Sequence, residues 1–323
     1  YREALSANSL ALALLRFGQM EPALRAAEDA LSHFRRAEVD RGIGLGTLTR
    51  GMIYRNMADM WLELDIPLQE ALRYTDLAET DLKEAVRIFS VSVREPIREV
   101  QACNELACCY RARHWLLVHQ GASQAERGMA FSQGRTWFRR AIETARRHGY
   151  FVEELDSLQD LAVMLTRAGE YGEAERLLAE IRSKIPEDYH IRPDIGLANV
   201  PESARVDAYY KLMGQVELLA GAIAFERGRL EAQKRGVSEE IPPREAFREA
   251  ARLYLLAVYY FHTYSGEAFA HRLTYTRIYR RFRVCPPDLV QEITQKYLPE
   301  WIQEYRLPEE LARGLFLDVF GLF

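Results

Sequence analysis

Apolar residues recur along this chain at i, i+3, i+4 and i+7, while alternating Val, Ile and Thr runs bounded by turn pairs are nearly absent. The pattern predicts an all-α fold. Within it a bulky residue next to a small one returns five times, as Leu10-Ala11, Met57-Ala58, Leu106-Ala107, Leu161-Ala162 and Met213-Gly214. A large side chain, Leu14, Trp61, Tyr110 or Leu165, follows three residues after the small one in the first four. The intervals of 47, 49, 55 and 52 residues imply a helix-turn-helix unit stacked on copies of itself, each burying the face its neighbour exposes. A small residue at these positions lets two helix axes approach toward the short end of the usual ~8 to 10 Å.

The clearest unit runs from Leu155 to Pro186. Leu158, Leu161, Ala162 and Leu165 line its first helix, Gly169 and Glu170 turn the chain, and Ala174, Leu178 and Ile181 line the second. This unit resembles the tetratricopeptide repeat. Leu10, Ala11 and Leu14 with Ala23, Ala27 and Ala30 follow the same grammar, as do Tyr54, Met57 and Ala58 with Ala71, Thr75 and Ala78. In the third unit Leu106, Ala107 and Tyr110 precede Gly134, Phe138 and Ala141, and the glycines from Gly121 to Gly128 predict an insertion between the helices. A fifth pairs Tyr210, Met213 and Gly214 with Ala250, Tyr254 and Ala257, split by a polar segment from Gly228 to Pro243.

The resemblance implies a right-handed superhelical array of about five units over residues 1–265. The repeats exceed the family's 34 residues, so helices or loops are longer, and Leu68 to Phe89 reads as one helix of about six turns. The proline-bearing stretch from Ile185 to Pro201 predicts a loop. After Ser265-Gly266 the grammar stops. A basic aromatic helix with Tyr275, Arg277, Tyr279, Arg280, Arg281, Phe282 and Arg283 leads to Cys285-Pro286-Pro287 and a Glu-rich segment with Leu298, Trp301, Tyr305, Leu315, Phe316, Phe320 and Phe323. Residues 266–323 fit a divergent C-terminal cap, its arginines packing on Glu292, Glu300, Glu304, Glu309 and Glu310.

Composition narrows the function. A net charge of -4 gives no whole-molecule attraction for nucleic acid, and no stretch approaches the ~18 apolar residues of a membrane span, so neither partner is expected. Cys103, Cys108, Cys109 and Cys285 lack zinc spacing and disulfide density, which favours a reducing, cytoplasmic setting. The chain opens on Tyr1 inside a helical pattern, which leads us to expect residues upstream and a larger protein.

Chemistry-bearing residues are sparse. Gly42, Gly44 and Gly46 lack the strand or the Gly-Lys-Ser/Thr ending of a phosphate loop and read as close helix packing. His114 and His119 are set about 140° apart round a helix, too far for one metal. No acid-base pair or nucleophile-base set stands out, so no catalysis, cofactor or metal is expected. The strongest candidates form a polar ladder on the first helix of each unit, three residues before the small one: Asn8, Arg55, Asn104, Gln159 and Lys211.

In tetratricopeptide arrays that edge faces the concave groove, where the resemblance implies amides gripping the backbone of an extended peptide. The same groups would otherwise hydrogen-bond neighbouring helices or solvent. Arg16, Arg111 and Arg167, near first-helix ends, would add groove charge or pair with acidic neighbours. Family arrays that clamp a carboxylate use lysine or arginine with asparagine, whereas the matching positions here hold Leu12, Asp59, Cys108 and Val163, and only Lys211 with Gln215 comes near. The expected function is a non-catalytic scaffold for a protein or peptide segment, resembling the C-terminal sensor arrays of STAND-type signalling NTPases and bacterial peptide-sensing regulators. An effector or NTPase domain of the same polypeptide would then be a partner. The rival expectation is a structural, oligomerising module with an empty groove.

Overall fold

The computed structural model describes residues 1–234, 243–263, 278–279, 281–282 and 286–320. The chain is all-α, its helices packing in sequence against their neighbours. Ten run in order: α1 (Arg2–Arg16), α2 (Met20–Arg36), α3 (Asp40–Asp59), α4 (Leu68–Arg87), α5 (Pro96–Gln120), α6 (Gln124–His148), α7 (Phe151–Arg167), α8 (Tyr171–Lys184), α9 (Asp207–Lys234) and α10 (Arg244–Thr263). Short C-terminal helices cover Pro287–Glu292, Leu298–Glu304 and Glu309–Phe320. By contact density the chain gathers into two compact units, Tyr1–Met164 and Leu165–Phe323.

In the first unit each helix packs on the next through α6, and α3 also packs on α1 and α5. Ala11, Ala58, Ala107 and Ala162, the small residues of the repeat, are fully enclosed. Helix α3 uses glycine for the same purpose on two opposite faces. A Cβ on Gly42 would strike Phe34 and one on Gly46 would press on Leu31, both of α2, while one on Gly44 or Gly51 would strike Ile88 or Leu82. Residues two apart on a helix differ by 200°, so the Gly42/Gly46 and Gly44/Gly51 pairs admit neighbours from both sides. The glycine run is therefore a packing device, as its sequence context implied.

The long repeats come from long helices. Helix α4 continues through a π-helical turn at Ile88–Ser92, whose buried Ile88 and Phe89 reach α3. Between α5 and α6 the expected insertion is absent. Gly121, at φ 72°, ends α5, and Ser123 starts α6 by a reciprocal capping box with Glu126. The cap overrides the loop tendency of Gly128, which lies inside α6 with open space beside it. The corners before α3, α4 and α5 place Glu38, Asp65 and Arg94 at φ 51°, 53° and 54°.

In the second unit α9 packs on α8 and α10, and the Ile185 to Pro201 stretch is a short 3-10 turn followed by a two-residue antiparallel hairpin, Ile191–Arg192 with Gly196–Leu197. Gly228 lies within α9, inside the segment the sequence marked as a polar break, and residues 235–242 of that segment lie outside the described residues. Leu298, Trp301, Tyr305, Leu315 and Phe316 share one buried cluster with Phe247, Tyr254, Ile278 and Phe282. Glu292 and Asp288 pair with Arg244. Ser265, Gly266, Tyr275, Arg277, Arg280, Arg283, Cys285 and Phe323 lie outside the described residues. No helix among the described residues is long and apolar enough to cross a membrane.

Candidate functional site

The first unit holds a cavity of about 560 Å³ lined only by residues of α1, α3, α5 and α7. On α1 the lining is Leu5, Asn8, Ser9, Leu12 and Arg16, and on α3 it is Arg41, Leu45, Leu48, Thr49 and Met52. Both sets recur at three- and four-residue steps, one stripe of each helix. The cavity is thus built from the first helices of the first four repeats.

Each of these helices brings one small, enclosed polar side chain to the lining: Asn8, Thr49, Asn104 and Ser157. Asn8 is 7% exposed, Asn104 6% and Ser157 1%, and Asn8 Oδ1, Asn104 Oδ1 and Ser157 Oγ have no hydrogen-bond partner. An enclosed polar atom left unpaired costs about 1–3 kcal/mol, so these atoms, with Arg98 Nε of the same lining, are the polar groups of the cavity that the chain itself does not satisfy.

Beside the lining, α3, α5 and α7 are tied by largely buried charges. Arg55 of α3 meets Glu105 of α5 at 2.5 Å, Arg111 of α5 meets Asp160 of α7 at 2.5 Å, and Arg111 also reaches Asp59 at 3.4 Å. Asn104 Nδ2 donates to Asp160 Oδ2 at 3.0 Å, and Cys108 Sγ donates to the same oxygen at 3.3 Å. Burial by itself would push the Asp160 carboxyl up, but Arg111 beside it and the Asn104 amide outweigh burial and hold it below the ordinary carboxylate value. The Arg111 guanidinium, despite burial, is held well above its ordinary value by its acidic neighbours. Burial pushes the Cys103 and Cys109 thiols up to about 12, leaving them un-ionised at neutral pH and unsuited to nucleophilic work.

The sequence-derived ladder is brought together in part. Asn8 and Asn104 border the cavity with Arg16, which is exposed at the end of α1. Arg55 does not line it and is joined to Glu105, a lining residue; Arg111 supports Asn104 through Asp160. Gln159 is buried on α7 outside the lining. Arg167 and Lys211, both half-buried, belong to the second unit. Thr49 and Ser157 were missed because they do not hold the Asn8 frame: they precede their small residue by nine and five positions, not three. Only the lining stripes, Leu45, Leu48, Thr49 and Met52 on α3 for example, carried a signal for them.

His114 is buried with its ring against Phe131, while exposed His119 lies against Trp115 and Trp61. A second cavity, of about 540 Å³, lies within the other unit among α8, α9, α10 and Tyr305. Its arginines already have partners: Arg182 with Glu217 at 3.0 Å, Arg227 with Glu175 at 2.8 Å and Arg252 with Glu249 at 2.6 Å. No protein-family model matches this chain, and no curated protein matches it at a significant level.

Proposed function

We propose that this protein is a non-catalytic scaffold of the tetratricopeptide-like, right-handed kind, and that the first-unit cavity holds an extended peptide or protein segment. What carries the reading is the row of enclosed polar groups, Asn8, Thr49, Asn104 and Ser157, one from each of four successive first helices, three with an unpaired atom. A peptide backbone repeats donors and acceptors along its length, which suits a lining that repeats amides and hydroxyls able to meet both. The apolar remainder, Leu5, Leu12, Leu45, Leu48, Met52 and Val100, gives side chains a place to be buried. Such an array suits the sensor or adaptor part of a cytoplasmic regulator of the STAND-like type, with ligand favouring one arrangement of the helices over another.

Selection of a displayed random-peptide library on the immobilised protein tests this. Selected peptides should lose affinity about tenfold or more when Asn8→Leu and Asn104→Leu are combined, with the far-ultraviolet circular dichroism retained. They should be indifferent to Arg227→Ala, in the second unit. Peptides that ignore the double substitution, or a library that yields none, would remove the reading.

A further inference from the structure

In the second, third and fourth repeats, the first helix turns one face toward the repeat before it, and that face is covered. On α5, Cys109 Sγ donates to the Thr75 carbonyl of α4 at 3.2 Å, and Arg113, one turn on, pairs with Asp76 and Glu79 of the same helix. On α7 the position equivalent to Cys109 is Met164, and a Cβ on Gly134 of α6 would stand 2.8 Å from its Sδ. On α3, Gly42 and Gly46 meet α2, and Met57 lies only about 20° round from Gly46, about three turns further along. Met57, Met60, Leu106, Cys109, Leu161 and Met164 are all buried. In the same frame α1 carries Leu10, Ala13 and Phe17, with Ser6 one turn before, and all four are exposed, Leu10 at 54% and Phe17 at 67%.

The order of sizes along this row says what fits it. Phe17 stands where α5 has Arg113, so the row asks for an apolar or small counterpart and not for the acidic helix that answers α5. Ser6, Leu10, Ala13 and Phe17 follow at steps of four, three and four, the spacing of a coiled-coil seam, and they alternate small and large. A second copy of α1, laid antiparallel about a two-fold axis passing between Leu10 and Ala13, sets Leu10 against Ala13 and Phe17 against Ser6. Every layer then joins a large side chain to a small one, and no charge falls inside the row. Parallel pairing would set Phe17 on Phe17 and Ala13 on Ala13, alternating crowding with gaps. Antiparallel is also how α2 and α4 meet the helices they cover, being joined to them by short corners, so the same interface continues outward onto α1. The row lies about 160° round α1 from Leu12 of the cavity lining, which makes it a separate surface.

We propose that α1 is the dimerisation helix of this protein: two copies join through Ser6, Leu10, Ala13 and Phe17 in an antiparallel, two-fold pair, on the side of α1 turned away from the cavity.

Sedimentation equilibrium of the full chain, over an about hundredfold range of concentration, should show a monomer-dimer equilibrium that stops at two copies. Leu10→Glu, at an exposed position, should weaken it about tenfold or more with the helical circular dichroism unchanged. Ala13→Leu is the sharper variant. It enlarges the apolar face, so an indiscriminately sticky surface would associate more tightly, whereas the paired layers set leucine on leucine and should weaken the dimer about fivefold or more. Exchanging the two residues, Leu10→Ala with Ala13→Leu, restores one large and one small side chain to each layer and should bring the affinity back to within about threefold of wild type. A chain that stays monomeric throughout, a dimer indifferent to Leu10→Glu, or one tightened by Ala13→Leu would overturn the inference. So would assembly beyond two copies, which would mean that another surface of the chain covers α1 head to tail.

Discussion

Asp160 is the residue on which the first unit's polar chemistry turns. It accepts from Asn104, Cys108 and Arg111, and its carboxyl lies below the ordinary range because Arg111 and the amide outweigh burial. A carboxyl whose pKa is lowered on folding contributes stability that is fully present above its unfolded value, about 3.9, and is lost as the pH falls through the lowered folded value. Chemical denaturation measured from pH 7 down to pH 2 should show wild-type stability falling in that acid window, with a shallower fall for Asp160→Asn. Equal slopes would mean that the Arg111 pairing gives no net preference for the ionised form. The buried thiols give a second residue-scale check. In a Cys285→Ser background, Cys103, Cys108 and Cys109 should resist an aromatic disulfide reagent at pH 8 and react only on adding denaturant. Rapid labelling of the native protein would contradict their enclosure.

At the level of elements, what a sequence makes visible is what the backbone repeats. Ala11, Ala58, Ala107 and Ala162 keep one frame because each must sit where two helices come closest, and steric exclusion leaves a periodic mark. The cavity has no such obligation. Its α3 polar group is Thr49 and its α7 group is Ser157, displaced from the Asn8 frame, so counting positions from the small residue leads to Arg55 and Gln159 instead. Gly128 misled for a related reason: glycine suggests a loop, yet Ser123 and Glu126 had already committed the segment to helix. Two substitutions separate these uses of glycine. Gly51→Ala places a methyl 2.7 Å from Leu82 Cγ and should destabilise by about 1–3 kcal/mol. Gly128→Ala meets nothing within 4 Å and should stabilise by up to about 1 kcal/mol. Thermal melts of the pair should move in opposite directions, and a shared direction would refute the close packing of α3 on α4.

For the molecule as a whole, each of the two compact units has its own cavity, and the two differ in how they are satisfied. The cavity of the second unit is lined by arginines and glutamates paired with one another, so its polar groups are answered from within the chain. The cavity of the first unit leaves oxygens unanswered. This contrast makes the first unit the place to look for a ligand, and no reading of composition or net charge could have drawn it, since both units are ordinary by those measures.

The corners at Glu38 and Arg94 hold side-chain-bearing residues in the left-handed backbone region, each a local penalty of about 1–2 kcal/mol that glycine would escape. Neither residue borders the first-unit cavity. Glycine at both should therefore yield a hardier version of the protein with the cavity lining untouched, a practical handle for testing whether that cavity takes anything up.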